Sequence, residues 1–239
     1  MQAPRSPGDM PGPLYHVAMA QPTFPNASET LLLDGPAGPL EVAVDLPEPD
    51  QARPLVAVIC HPLPTEGGTM HNKVVTMLAR ALRELGATTV RFNFRGTGQS
   101  AGGFDHGVGE QDDLRHVVAW TRAARPDDAL WLAGFSFGSY VSLSAAAGLQ
   151  PDALISVAPP VSGRGWDFGS IAIPEVPWLV IQGDADEIVD AQAVYEWIDA
   201  LPRKQQLVRM VDTSHFFHRK LIDLRGAIQH EVKAWPPLA

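Results

Sequence analysis

From residue 54 onward, short apolar runs alternate with segments of helical periodicity, and this alternation constrains the fold more than any other feature. "PLVAVICHP" (54–62) is a nearly uninterrupted apolar run of strand length, the pattern of a strand covered on both faces. "NKVVTMLARALRELG" (72–86) spaces its apolar residues for a helix and ends on Gly86, a suitable C-cap. "ATTVRFNFRGTGQS" (87–100) reads as a strand entering a Gly-rich loop, and "GEQDDLRHVVAWTRAAR" (109–125) as a helix with carboxylates in its first turn. "DALWLAGFS" and "FGSYVSLSAAAG" repeat the strand–helix step. "DALISVAPP", "PWLVIQGDAD" and "QQLVRMVDTS" add strands, with helices near 191–201 and 219–235. Ahead of them, "ETLLLDG" and "GPLEVAVDLPE" form a hairpin across a Gly-Pro turn. The predicted class is α/β: a mostly parallel central sheet, an N-terminal antiparallel hairpin and helices on both faces.

Composition narrows the function classes. Of 239 residues 45% are hydrophobic and 19% charged, with a net charge of −9. No basic cluster is available to neutralise phosphates, so nucleic acid is excluded as a partner. No apolar run reaches the 18 residues of a membrane span. The single cysteine, Cys60, fits a reducing compartment, and the Pro-rich first residues lack a signal-peptide h-region, so a cytoplasmic protein is expected. Residues 1–28 read as a loosely ordered arm and 29–239 as a single domain; a homo-oligomer stays open.

Sheets of this class hold ligands beyond the carboxyl ends of their strands. Gly134-Phe135-Ser136-Phe137-Gly138 lies at such an end, where an apolar run meets a helix. The motif alone arises by chance about 0.1 times in a chain of this composition. Its strand–turn–helix setting is that of a nucleophile elbow, in which the serine sits at a strained turn and small neighbours let helix and strand approach. The amide of Phe137, at the helix start, then faces a developing oxyanion. A serine needs a base and the base an orienter, in the chain order serine, acid, histidine. Past the next strands lie Asp184, Asp186, Glu187 and Asp190, then His215. Asp186 is the first choice of acid with Asp184 its rival; His215 is the base with His218 its rival. Upstream, Pro62 and Pro64 have no N–H, which leaves Leu63 as the amide between them able to donate to an oxyanion.

Other residues read as structural. His61 braces the loop after its strand, and Cys60 is an inert core thiol. No spacing supports a metal site at His61, His71 or His106. Gly96-x-Gly98 lacks the third glycine and the helix of a dinucleotide fingerprint, so no cofactor is implied. Arg95 is expected to be held by nearby carboxylates such as Asp105.

"HPLPTEGGTMHNKVV", "RFNFRGTGQSAGGFDHGVGE", "GFSFGS" and "TSHFFHRKL" together resemble the α/β-hydrolase superfamily, and within it a small, lidless bacterial-type esterase-like group. The resemblance covers nearly everything from about residue 28. It implies Ser136 as nucleophile, Asp186 as acid, His215 as base, and the Leu63 and Phe137 amides as oxyanion hole. Leu63 departs from the second histidine often found there, and Thr213-Ser214 replaces a common acidic residue. Large caps of this superfamily are inserted where this chain has only "PPVSGRGWDFGSIAIPEVP" (159–177). An open cleft rimmed by Trp166 and Phe168 is therefore expected, with a small acyl ester as substrate. A peptidase, a thioesterase or a non-catalytic binding protein on the same fold are the alternatives.

Overall fold

A computed structural model describes residues 21–238, and its framework is one eight-stranded sheet. The strands are β1 (Glu29–Gly35), β2 (Gly38–Asp45), β3 (Leu55–Cys60), β4 (Thr88–Phe92), β5 (Ala129–Phe135), β6 (Ala153–Val157), β7 (Trp178–Gly183) and β8 (Gln206–Met210). Helix α1 (Lys73–Arg83) follows β3, α2 (Gly109–Ala124) follows β4 and α3 (Phe137–Leu149) follows β5. Helix α4 (Ala191–Asp199) follows β7, and α5 (Leu221–Val232) follows β8. Across the sheet the order is β1-β2-β4-β3-β5-β6-β7-β8. β2 pairs antiparallel with both β1 and β4. Every later pairing is parallel.

The apolar runs follow from burial on both faces. In β3, Val56, Val58 and Cys60 enter one core layer while Leu55, Ala57 and Ile59 enter the other, as alternation of side chains along a strand requires. Helices α2, α3 and α4 close the first layer and α1 and α5 the second. No helix among the described residues is long and apolar enough to cross a membrane.

The chain leaves β3 through α1 toward β4, whereas β5 lies on the other side of β3. The loops after β3 and β5 therefore diverge, and a crevice opens between them at the carboxyl ends of the strands. Between β6 and β7 runs a short segment with no helix or strand, so no large cap covers that crevice.

One detail of the loop after β4 differs from expectation. Arg95 is held by Asp113 rather than Asp105: its backbone N–H and guanidinium both donate to the Asp113 carboxylate, which is fully buried. The first turns of α2 carry that carboxylate beneath the loop, while Asp105 accepts the amide of Gly109. Glu110 likewise turns inward and accepts the amides of Asp105 and Gly107. Of the arm expected over residues 1–28, residues 1–20 lie outside the described residues. Residues 21–28 run against α2, where Phe24 packs on Trp120 and the Trp120 indole N–H donates to Pro22 O.

Candidate active site

Ser136 joins β5 to α3 with φ 52° and ψ −121°, a conformation costing a non-glycine residue about 1–3 kcal/mol. Its surroundings over-determine that geometry. The Ser136 amide donates to Val157 O at 2.8 Å. Its carbonyl accepts the Ser139 amide at 2.8 Å and the Ser139 hydroxyl at 2.5 Å. The flanking glycines permit the close approach: a Cβ at Gly134 would lie 2.2 Å from Gly138 O, and one at Gly138 would lie 2.3 Å from Cys60 O. The elbow is thus wedged against β3 with no room for a methyl group.

His215 Nε2 lies 3.1 Å from Ser136 Oγ, and His215 Nδ1 lies 2.8 Å from Asp186 Oδ2. A carboxylate can only accept, so Nδ1 carries the proton and Nε2 is left to accept from the serine hydroxyl. The imidazole is buried and packs against the rings of Phe135 and Phe216. Its backbone N–H donates to Glu187 Oε2 at 3.1 Å. Asp186 Oδ1 accepts the amides of Ile188 (2.9 Å) and Val189 (2.7 Å), and Oδ2 also accepts Gln182 Nε2 at 3.0 Å. Burial alone would raise the pKa of Asp186. The His215 contact and the two amides outweigh it and hold the carboxyl below its ordinary range.

The loop after β3 faces Ser136. His61 is fully buried; its Nδ1 donates to Pro62 O at 2.6 Å and its Nε2 accepts the Phe94 amide at 3.0 Å. Both ring nitrogens are thereby occupied in the neutral form, and burial pushes the pKa down to about 4. This bracing fixes Pro62 and Leu63, while Leu63 O accepts the amides of Glu66 and Gly68. The amides of Leu63 and Phe137 donate to no other protein group among the described residues. Both residues line, with Ser136, a depression of about 20 Å³. A second depression of about 50 Å³ adjoins Ser136 and His215.

The family described as alpha/beta hydrolase fold matches residues 57–168. An α/β serine hydrolase without lid from Xanthomonas campestris is 68% identical, with a TM-score of 0.88 over 91% of this chain and 99% of that one. This chain belongs to the α/β-hydrolase family. An α/β serine hydrolase homologue from Coxiella burnetii is 45% identical, with a TM-score of 0.82 over 87% of this hydrolase and 99% of that chain. An uncharacterized protein of Rickettsia prowazekii is 32% identical over 182 residues, 72% of this chain and 76% of its own.

Within this hydrolase Ser136, Asp186 and His215 converge, and the rivals lie elsewhere. Asp184 and His218 are exposed, and Asp190 caps α4 by accepting the amides of Gln192 and Ala193. Cys60 is buried and its thiol pKa is pushed well up by that burial. No group of potential metal ligands forms among the described residues. Trp166 lines the smaller depression and packs on Phe137 and Tyr140. Phe168 is not a rim residue: it is buried against Tyr140 and Trp197, because the segment folds back onto α3 and α4. Gln182 was missed from sequence, although a polar residue ending the buried run "WLVIQ" marked it. Ile188 and Phe216 carried no such mark.

Proposed function

We propose that this serine hydrolase is a carboxylesterase that cleaves small or short-chain acyl esters through an acyl-enzyme on Ser136. The observation that carries the reading is the unbroken hydrogen-bonded run from Ser136 Oγ through His215 to Asp186. In this reading His215 Nε2 takes the hydroxyl proton as Ser136 Oγ attacks the ester carbonyl carbon. The Leu63 and Phe137 amides stabilise the oxyanion, and anionic Asp186 stabilises the imidazolium. His215 then returns the proton to the departing alkoxide as the C–O bond breaks. Water, deprotonated by His215, releases the carboxylic acid and restores Ser136. No step draws on a metal or cofactor. The shallow, capless crevice supports small acyl groups over chains that need a deep tunnel. A cytoplasmic protein, a small-molecule partner without nucleic acid or membrane, and one domain from residue 29 belong to the same reading.

The test is labelling with a fluorophosphonate alongside turnover of p-nitrophenyl acetate. Labelling at Ser136 and a burst of p-nitrophenol are expected. Asp186→Asn should lower kcat by on the order of 10⁴-fold, because the amide no longer holds the productive tautomer. Asp184→Asn should leave it nearly unchanged. Absence of both labelling and turnover overturns the reading in favour of a binding protein. Turnover of thioesters or peptides but not oxygen esters reassigns the substrate class.

A further inference from the structure

The two depressions beside Ser136 share Leu63, Glu66 and Ile188 and differ at their far ends. A leaving alkoxide must be reached by the proton on His215 Nε2, so the alcohol part of an ester lies on the His215 side. That is the larger depression, which includes Phe216, Gly68 and Asn72. The acyl part then lies on the other side, toward Phe137, Pro160 and Trp166, where about 20 Å³ is free.

Across this smaller depression Arg164 Nη1 meets Glu66 Oε1 at 2.7 Å. Glu66 ends the short 3-10 turn Pro64–Glu66 that follows Leu63, and Arg164 belongs to the segment between β6 and β7. The pair is separated by 98 residues, and both partners line the depression with Ser136. It joins two rims that no other hydrogen bond or salt bridge connects among the described residues.

We propose that the Arg164–Glu66 ion pair is a latch across the acyl subsite that biases this hydrolase toward short acyl groups. The proposal rests on the esterase reading above and deepens it by assigning the acyl side and the element that limits it. The side chains are 31% and 52% exposed. A pair so exposed is weak and screened by salt, so it disfavours longer chains without excluding them. A longer acyl chain must displace Arg164 before it can lie along Trp166 and Ile188. Removing the latch should admit one or two further methylenes, each worth roughly fourfold in transition-state affinity.

The experiment compares kcat/KM for p-nitrophenyl acetate and hexanoate in the wild type, Arg164→Ala, Glu66→Ala and the charge swap Arg164→Glu with Glu66→Arg. The same proteins are titrated with methyl- and hexyl-fluorophosphonates, whose P-alkyl group takes the acyl position. The hexanoate-to-acetate ratio should rise about two- to fivefold in both single variants, the range that the strength of an exposed ion pair allows. It should fall back toward the wild-type ratio in the swap, and the wild-type ratio should rise in 0.5 M NaCl. An unchanged ratio in both single variants overturns the latch while leaving ester hydrolysis standing. So does a rise only for Arg164→Ala, which would make Arg164 a steric wall rather than half of a pair. If Ser136 is phosphonylated but no ester turns over, the esterase reading fails, and the hexyl-to-methyl labelling ratio still decides the latch. Absence of labelling in the wild type overturns both.

Discussion

A methyl group at Gly138 would sit 2.3 Å from Cys60 O, 2.6 Å from the Cys60 carbonyl carbon and 2.6 Å from His61 O. All three are backbone atoms of β3 and its exit, so no side-chain rotation relieves the clash. Reaching ordinary contact near 3.4 Å requires the start of α3 to retreat by about 1 Å, or β3 to yield by as much. Either shift separates the Phe137 amide from the Leu63 amide and moves Ser136 relative to His215. Gly138→Ala should therefore lower kcat/KM for p-nitrophenyl acetate by about 100-fold, the usual consequence of an ångström of misplacement. Overpacking should also cost about 1–3 kcal/mol, lowering Tm by roughly 3–9 °C for a chain of this size. Gly148 supplies the control within the same helix. It has ordinary φ and nothing within 4 Å of an added Cβ, so Gly148→Ala should raise stability by about 0.5–1 kcal/mol and leave activity intact. Thermal unfolding and steady-state kinetics on the two variants make the measurement. If Gly138→Ala keeps wild-type kcat/KM and melts with Gly148→Ala, the wedging of the elbow against β3 is wrong.

Two further outcomes are expected. His61 binds protons more weakly in the folded chain (about 4) than in the unfolded chain (6.5). Between those values the unfolded state therefore holds more protons, and this contribution to stability falls as pH falls. Urea unfolding should show a loss of about 2 kcal/mol between pH 7 and pH 5, and ¹⁵N shifts of the His61 ring should stay neutral at pH 5; a midpoint above 6 would refute the assignment. Arg95→Met removes the opposing charge of the fully buried Asp113 and leaves it only the residue-95 amide, which should cost about 3–5 kcal/mol. Arg95→Met with Asp113→Leu should recover most of that in chemical denaturation, and equal losses in both variants would contradict the buried-pair account.

Much of the fold was legible in the sequence because the two periodicities are local. β3 and β5 show themselves as short apolar runs since both faces are buried, and α1 shows its apolar stripe since only one face is. The elbow was legible for the same reason. Gly134, Ser136 and Gly138 are covalently close, and their chemistry is set by one strand–helix junction. The partner of Arg95 was not legible: Asp105 and Asp113 are equally plausible in sequence, and only the start of α2 decides that Asp113 lies beneath the loop. Phe168 looked like a rim residue beside Trp166, yet the segment folds it into the core.

The sheet-and-helix class, the junction bearing Ser136 and the chain order of serine, acid and histidine are all legible along the chain. Each of these depends on neighbours a few residues apart. The tertiary structure decided that Asp186 rather than Asp184 meets His215, that Gln182 supports that carboxylate, and that Glu66 and Arg164 clasp across the crevice. Those contacts join residues on different strands or distant loops. Hydrogen-bond reach of about 3 Å is a property of how the strands are ordered and how their loops diverge, and residue spacing along the chain does not encode it.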